Sequence, residues 1–471
     1  MKTKRQIFNP YLPSYEYIPD GEPHVFDNRL YIYGSHDRFN GDDYCVNDYV
    51  CWSAPVEDLS DFRYEGVIYK KSQHPYRVGR NIYFAPDVTK GKDGKYYLYY
   101  SVADSSIMSV AVSDTPAGSY TYLGDVHDST GHVTGSAEGD FFQFDPGVFI
   151  DDDGRIFLLS GFCPGRLTDE FGRKYVGCHI SELESDMLTI KSGPHIVIDR
   201  NDPCPEEQRY FEAPSLRKIN NKYYLIYSVR AGGLHYQISD RPDGGYRYGG
   251  RIHSTSDVGI NGHTVVNPVY PNGNTHGSIV QLNGEYYIFD HRLTNNTSYC
   301  RQGVAEKITI EADGSIPQVE ATSCGLNNGP LRGMGTYPSY IACALMDKNN
   351  YESLDKKNCF MPYITQEGED RECEPGQYIK NICKNTVIGY KYFSFESCRN
   401  VQLQLRGNAR GTLYLKLTEE GNPVAAYPLK LSGEEWETVT MDFSVQSLKS
   451  GFYLSYEGEG SFDFLAFTFQ Q

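Results

Sequence analysis

The sequence predicts an all-β protein: a five-bladed β-propeller followed by a jelly-roll-like β-sandwich. Three observations carry this. The 471 residues include 40 Tyr, 23 Phe and 46 Gly but only 2 Trp, a mixture suited to many short strands joined by tight turns. One turn-and-strand unit recurs five times before residue 300. After about residue 322 the repeat stops, and strands follow one another at roughly ten-residue spacing with turn residues between them.

The five copies read DNRLYIYGS from Asp27, DGKYYLYYS from Asp93, DGRIFLLSG from Asp153, NNKYYLIYS from Asn220 and NGEYYIFDH from Asn283. Their spacings are 66, 60, 67 and 63 residues. Each opens on an Asp or Asn turn, usually with Gly, which supplies the positive φ a tight hairpin needs. Each continues as an aromatic and β-branched run, which reads as strand. This spacing leaves room for about four strands per repeat, the blade of a propeller. A pair of repetitive sandwiches or a β-helix is the alternative, but a β-helix wants a shorter period.

An ionisable residue precedes every copy at nearly the same phase: Asp20, Asp87, Asp145, Glu212 and His276, six to eight residues upstream. Innermost strands of a propeller line its axis, so residues at equal phase converge at one end. Four carboxylates and a histidine are therefore expected around one cavity. Like charges in a partly desolvated funnel raise one another's pKa, and such clusters are kept mostly for chemistry or for a cation. The plain alternative, an Asp capping a turn, is kept open for Asp87.

Acid–base chemistry on a neutral, hydroxyl-rich substrate suits this cluster. Glycoside hydrolysis needs one protonated carboxyl for the leaving oxygen and one ionised carboxylate; in the inverting form the latter activates water. A third carboxylate beside the acid would hold it protonated.

Over about residues 8 to 322 these motifs resemble glycoside hydrolase family 43, five-bladed propeller enzymes acting on arabinose- and xylose-containing glycans. PDGEPHVFDNRLYIYGSHD resembles the first-blade segment, which implies Asp20 as general base. FDPGVFIDDDGRIFL implies Asp145 as the residue that tunes and orients the acid, and RYFEAPSLRKINNKYYLIYS implies Glu212 as general acid. THGSIVQLNGEYYIFDHR implies His276 near an axial calcium or water cluster. CRQGVAEKITIEADGSIPQVEAT resembles the segment closing the propeller and implies that Arg301 approaches the substrate from below. No cofactor is required on this reading, with a structural calcium left open. Two departures stand out: Gly21 replaces the usual Pro after the base, making Glu22 a rival, and Phe84 replaces a Trp that stacks on sugar. His36, Asp87, Phe84 and Arg301 are the expected substrate contacts, although a turn is an equal reading for His36-Asp37. Asp151-Asp152-Asp153 lacks the spaced ligands of a calcium loop and reads as a solvated hairpin.

The expected organisation is a catalytic propeller at 1–322, a linker at 323–340 rich in Gly, Pro, Asn and Ser, and an accessory β-sandwich at 341–471. The last part is similar to family 6 carbohydrate-binding modules by strand pattern alone. Trp436 falls within a strand and is expected in the core, so a structural or pocket-completing role is favoured over glycan binding.

Bulk properties narrow the rest. With 39% apolar and 22% charged residues the chain is globular, and no run approaches the ~18 apolar residues of a membrane span. A net charge of −17 argues against nucleic acid or an anionic membrane as partner. The basic residues between Met1 and Tyr17 are not followed by an apolar stretch, so no secretory signal is read and a cytoplasmic location is expected. The 12 cysteines form no C-x-x-C pair, which argues against zinc; reduced thiols are expected, with stapling disulfides the alternative. The resulting expectation is an inverting, exo-acting hydrolase that releases α-L-arabinofuranose or β-D-xylose from short oligosaccharides. Two rivals are a retaining fructosidase-like propeller, whose Asn-Asp-Pro-Asn-Gly motif is absent, and a non-catalytic glycan-binding propeller.

Overall fold

The computed structural model describes residues 6–76, 79–347 and 361–471. Blade I is Glu22–Phe26, Arg29–Tyr33, Tyr49–Pro55 and Arg63–Tyr69; blade II is Tyr83–Lys90, Tyr96–Val102, Met108–Ser113 and Thr121–Asp125. Blade III is Gly147–Ile150, Ile156–Ser160, Gly177–Leu183 and Ile190–Asp199; blade IV is Tyr210–Ile219, Lys222–Val229, Leu234–Ser239 and Arg247–His253. Blade V has three strands, Ile279–Leu282, Glu285–Thr294 and Thr297–Ile308. Every blade is an antiparallel meander, and each repeated aromatic run is its second strand. Helix among the described residues is limited to short 3₁₀ turns, and none is long and apolar enough to cross a membrane.

The tyrosine-rich second strands are explained by burial on both faces. Alternate side chains point to opposite sides of a strand. Tyr96, Leu98 and Tyr100 pack in the core against blade I, while Tyr97 and Tyr99 pack against blade III. The same alternation gives a separate apolar core at each of the five blade interfaces. Tyrosine fills these gaps and carries a hydroxyl that can still be satisfied. Tyr99 OH donates to Met187 O (2.6 Å), Tyr33 OH to Pro116 O (2.8 Å) and Tyr227 OH to Gln208 O (3.0 Å).

The ring is closed by the N-terminal segment on blade V. The Tyr11 amide donates to Gly303 O (3.4 Å) and the Ala305 amide to Asn9 Oδ1 (3.0 Å). First strands of neighbouring blades touch at the axis: Gly21 bridges Gly277, and Ser215 Oγ donates to Ser278 Oγ (2.8 Å).

The C-terminal domain is a single curled sheet with a Phe-rich core. Its frame is a hairpin in which 387–415 pairs with 425–455, after which 453–470 returns along the other side of 400–416. An arm of 31 residues would span about 100 Å if straight, so the ribbon must coil to enclose a core. Two short strands within the expected linker, Leu331–Arg332 and Gly335–Pro338, join this sheet. Trp436 departs from the core placement expected for it: half-buried, it meets Tyr378 edge-on at 5.6 Å, with the Arg406 guanidinium 4.3 Å from its ring. Its strand faces outward here because Val439 and Met441 supply the core side chains. The 11 described cysteines are free thiols, and Cys359 lies outside the described residues.

Candidate active site

Asp20, Asp145, Glu212, His276, Arg301 and Phe84 surround one cavity of about 570 Å³ at the axial end of the propeller. Three backbone features aim the carboxylates. Asp20 and Asp145 adopt positive φ (58° and 45°), as does Ala213 (63°) immediately after Glu212. Glu212 also lies between two register shifts of its strand pair, where an irregular ladder turns a side chain out of the sheet. Residues held in sparsely populated backbone regions need strong surrounding support and cluster at functional sites.

The Asp20 side of the cavity is built around a buried cation. Arg301 Nη1 donates to Asp20 Oδ1 (3.0 Å), while its Nε and Nη2 grip Asp37 Oδ2 (2.8 Å) and Oδ1 (2.9 Å) as a fork. The Asp20 amide donates to His291 Nδ1 (3.2 Å), and the opposite ring nitrogen, Nε2, donates to Asn274 O (2.9 Å). Burial alone would raise the Asp20 pKa. Arg301 first, then His291 and His276, outweigh burial and leave it below the ordinary value. Asp20 is thus held ionised.

On the opposite side, no guanidinium pairs with either carboxylate among the described residues. Glu212 makes no ion pair among the described residues; burial and the charges of Asp145 and Asp20 push its pKa well above the usual carboxylate value. Burial likewise lifts Asp145 to about 7, against His276, with Asp20 adding to the rise and the Ala213 amide opposing it. The proton therefore rests on Glu212, and Asp145 ionises near neutrality.

His276 stands between these groups, with Nδ1 3.7 Å from Asp145 Oδ2 and Nε2 3.5 Å from Glu22 Oε1. Burial opposes its charge, but Glu22, Asp145 and Asp20 together raise its pKa to about 9. Glu22, the rival base, is fully buried beneath the cavity. Arg217 Nη2 (2.6 Å) and Ser215 Oγ (3.0 Å) both donate to its Oε2. Burial would raise Glu22, yet Arg217 and His276 hold it at about 2. It braces the floor of the site and does not face the cavity.

Calcium takes six to eight oxygen ligands. Here Glu22 Oε1 and His276 Nε2 are buried and have no hydrogen-bond partner in the protein. One free carboxylate oxygen beside one imidazole fits a hydrated ion whose shell is mostly water, not a protein cage. Glu22, His24 and Asp87 also bring ligand atoms together, but Asp87 is already committed: Oδ1 meets His24 Nε2 (2.7 Å) and the Val88 amide (2.8 Å), and Oδ2 accepts the Val148 amide (2.7 Å).

Two expected substrate contacts lie away from the cavity. Asp87 is buried and spends its oxygens on His24 of blade I, Val88 of blade II and Val148 of blade III. His36 is buried behind the wall, with Nδ1 donating to Asp48 O (2.7 Å) and Nε2 accepting from Arg371 Nη1 (2.9 Å). Phe84 is in the wall, 5.2 Å from Phe144. The wall also holds Phe142, Phe162, Phe211, Tyr44 and Tyr175, aromatic faces suited to sugar rings. Sequence reasoning passed over these, although FFQFD at 141–145, just before the strand Gly147–Ile150, was a visible signal. It also passed over the Asp37 clamp, because nothing local marks Asp37 as the partner of a residue 264 positions away.

Comparison with known proteins agrees with this architecture. The profile of Glycosyl hydrolases family 43 matches residues 17–316. A xylosidase/arabinosidase of Thermoclostridium stercorarium is 46% identical over 477 residues, covering 99% of each chain. A crystal structure of a family 43 β-xylosidase/α-arabinofuranosidase from a compost microbial metagenome, in complex with xylotriose and in calcium-free form, is 28% identical. It covers 67% of this chain and 98% of its own, at a TM-score of 0.54. An arabinoxylan arabinofuranohydrolase structure from Bacillus subtilis, 20% identical, shares the fold across 98% of this chain and 97% of its own, at a TM-score of 0.52. With a propeller of five blades and a cluster of carboxylates at its axis, the chain belongs to glycosyl hydrolases family 43 and is a glycoside hydrolase.

Proposed function

We propose that this enzyme is an inverting, exo-acting hydrolase that releases α-L-arabinofuranose or β-D-xylose from short xylan-derived oligosaccharides. The observation that carries the mechanism is the unequal electrostatics of the cavity: an ionised Asp20 beside Arg301 and a protonated Glu212 beside Asp145. Glu212 would protonate the departing glycosidic oxygen as the C–O bond breaks. Asp20 would take a proton from the water that attacks the anomeric carbon from the opposite face. Asp145 maintains the proton on Glu212 through its charge and holds the Ala213 backbone next to it. His276 and Arg301 offset the negative charge of the cluster. The sugar class is supported by the names of the relatives and by the xylotriose bound in the compost structure.

A hydrated calcium ion at Glu22 and His276 is part of the proposal; it would bind in place of the His276 proton and would supply the positive charge at the axis that the imidazolium otherwise provides. Hydrolysis of p-nitrophenyl α-L-arabinofuranoside and β-D-xyloside, followed by proton NMR of the first-formed anomer, tests the whole reading. Release of the sugar with inverted configuration supports it. A retained anomer removes Asp20 as a base acting on water, and binding without turnover removes the catalytic assignment.

A further inference from the structure

The C-terminal sheet reaches the catalytic blade at one place that matters for the site. Between its strands Tyr363–Gln366 and Gln377–Ile382, the connection 367–376 lies against the loop at 34–48 that joins the second and third strands of blade I. Asp370 accepts two hydrogen bonds from that loop: Oδ1 from the Phe39 amide (2.8 Å) and Oδ2 from Asn47 Nδ2 (3.2 Å). Its neighbour Arg371, in a left-handed backbone conformation at φ 60°, donates from Nη1 to His36 Nε2 (2.9 Å) and to Glu16 Oε1 (2.5 Å). Gln366 adds a third tie, accepting from Tyr17 OH (2.6 Å), whose ring stacks on Phe39 at 6.0 Å.

The residues tied from outside flank those that face inward. Asp37 lies between His36 and Phe39, and its oxygens clamp Arg301 and accept the Cys45 amide (2.9 Å). Asn47, held by Asp370, also donates to Asp37 O (2.9 Å). Between Phe39 and Asn47, Asp43 and Tyr44 line the cavity, and Arg301 lies over the Tyr44 ring at 5.0 Å. A continuous set of contacts thus runs from Asp370 through the loop to Asp37, to Arg301 and to Asp20.

We propose that Asp370 and Arg371 are positioning residues of the active site, by which the C-terminal domain holds the 34–48 loop, and through it Asp37, Tyr44 and Arg301, in register with the substrate cavity. The inference rests on the assignment of that cavity as the hydrolytic site. A carboxylate suits the task because it accepts from a backbone amide and a side-chain amide at once, pinning the loop at Phe39 and at Asn47. Misplacement of a positioning group by about an ångström can cost about a hundredfold in rate, so a partly released loop should cost less than that.

The test uses the full-length enzyme and steady-state kinetics on a p-nitrophenyl glycoside that the unaltered protein hydrolyses. Rates are normalised to the folded fraction by calorimetry. Asp370→Ala removes both acceptors and should lower kcat/KM about tenfold, with a clear rise in KM. Asp370→Asn keeps one oxygen for the Phe39 amide and should lower kcat/KM about threefold. Tyr392→Phe serves for comparison: it breaks another contact between the C-terminal sheet and the propeller, Tyr392 OH to Glu320 Oε1 (2.5 Å), away from the loop. It should leave KM unchanged. Wild-type KM and kcat in folded Asp370→Ala overturn the proposal, as does an equal KM shift in Tyr392→Phe. If Asp370→Ala does not fold, Asp370→Asn decides alone, and an unchanged KM overturns the proposal. An unaltered protein that hydrolyses nothing tells against the hydrolytic reading, a result distinct from a variant that matches it.

Discussion

The two sides of the catalytic cavity are made of the same residue type and behave in opposite ways. On the blade I side, Asp20 lies 3.0 Å from a buried guanidinium and stays ionised. On the blade III and IV side, burial outweighs the nearby His276, Asp145 adds its charge to Glu212, and both pKa values rise. Burial raises a carboxylate in each case; the closeness of Arg301 to Asp20, seconded by His291, separates them. One arginine, anchored by Asp37 and stacked over Tyr44, therefore favours an ionised carboxylate on one side of the cluster over a protonated one on the other, the states that the proposed base and acid require. The general lesson is that the charged groups flanking a carboxylate set its role more than the carboxylate itself does.

Removing the acid should break this contrast most severely. Glu212→Gln is nearly isosteric, so kcat on an unactivated oligosaccharide should fall about 10³-fold while calorimetry shows an unchanged melting temperature. Normal turnover would take the acid role away from Glu212. On the other side, Asp20→Asn should cost about 10²- to 10³-fold in kcat, because nothing else in the cavity is held ionised by Arg301. Glu22→Gln separates the two candidate bases. It should keep most of the activity but lower stability by about 3 kcal/mol, since Arg217 loses its buried partner. The Glu22 pKa is depressed in the fold, so its stabilisation is present above its unfolded pKa and is lost as pH falls toward about 2. Glu22→Gln should accordingly flatten the fall in melting temperature on acidification, as thermal scans between pH 6 and 3 would show.

A subtler test sharpens the comparison from the acid's side. The Asp145 charge helps to hold the proton on Glu212. Asp145→Asn should therefore lower the Glu212 pKa and move the basic limb of the kcat/KM profile down by about one pH unit. The acidic limb, set by Asp20, should move down as well but less, because Asp20 is governed chiefly by Arg301. A basic limb that stays in place would remove Asp145 as the tuning residue. The smallest effect is expected far from the cavity: Trp436→Ala forfeits the contact with Arg406, about 0.5–1 kcal/mol of stability, and leaves kinetics on small glycosides unchanged.

Much of this site was legible as phase. Five turn-and-strand copies placed five ionisable residues at the head of the inner strands, and Asp20, Asp145, Glu212 and His276 do meet in one cavity. Asp87 shares the phase but not the outcome. Its strand carries a register shift between Phe84 and Asp87, and both oxygens are taken by His24 and the amides of Val88 and Val148. The family resemblance favoured Asp20 over Glu22 as the base, whereas the partner that occupies Glu22, Arg217, is a residue of another blade. His36 looked equivalent to Asp37 in the chain. The fold turns Asp37 toward Arg301 and His36 toward Arg371.

The sequence by itself determined the all-β class, the five repeats and the phase of the ionisable residues. These are local matters: turn chemistry, alternation and strand-forming composition act over a few residues. The tertiary structure decided which carboxylate ionises, which one keeps its proton and which is spent on backbone amides. Those outcomes depend on groups hundreds of residues apart in the chain, such as Asp20 and Arg301, brought to about 3 Å in a medium where a single nearby charge outweighs burial.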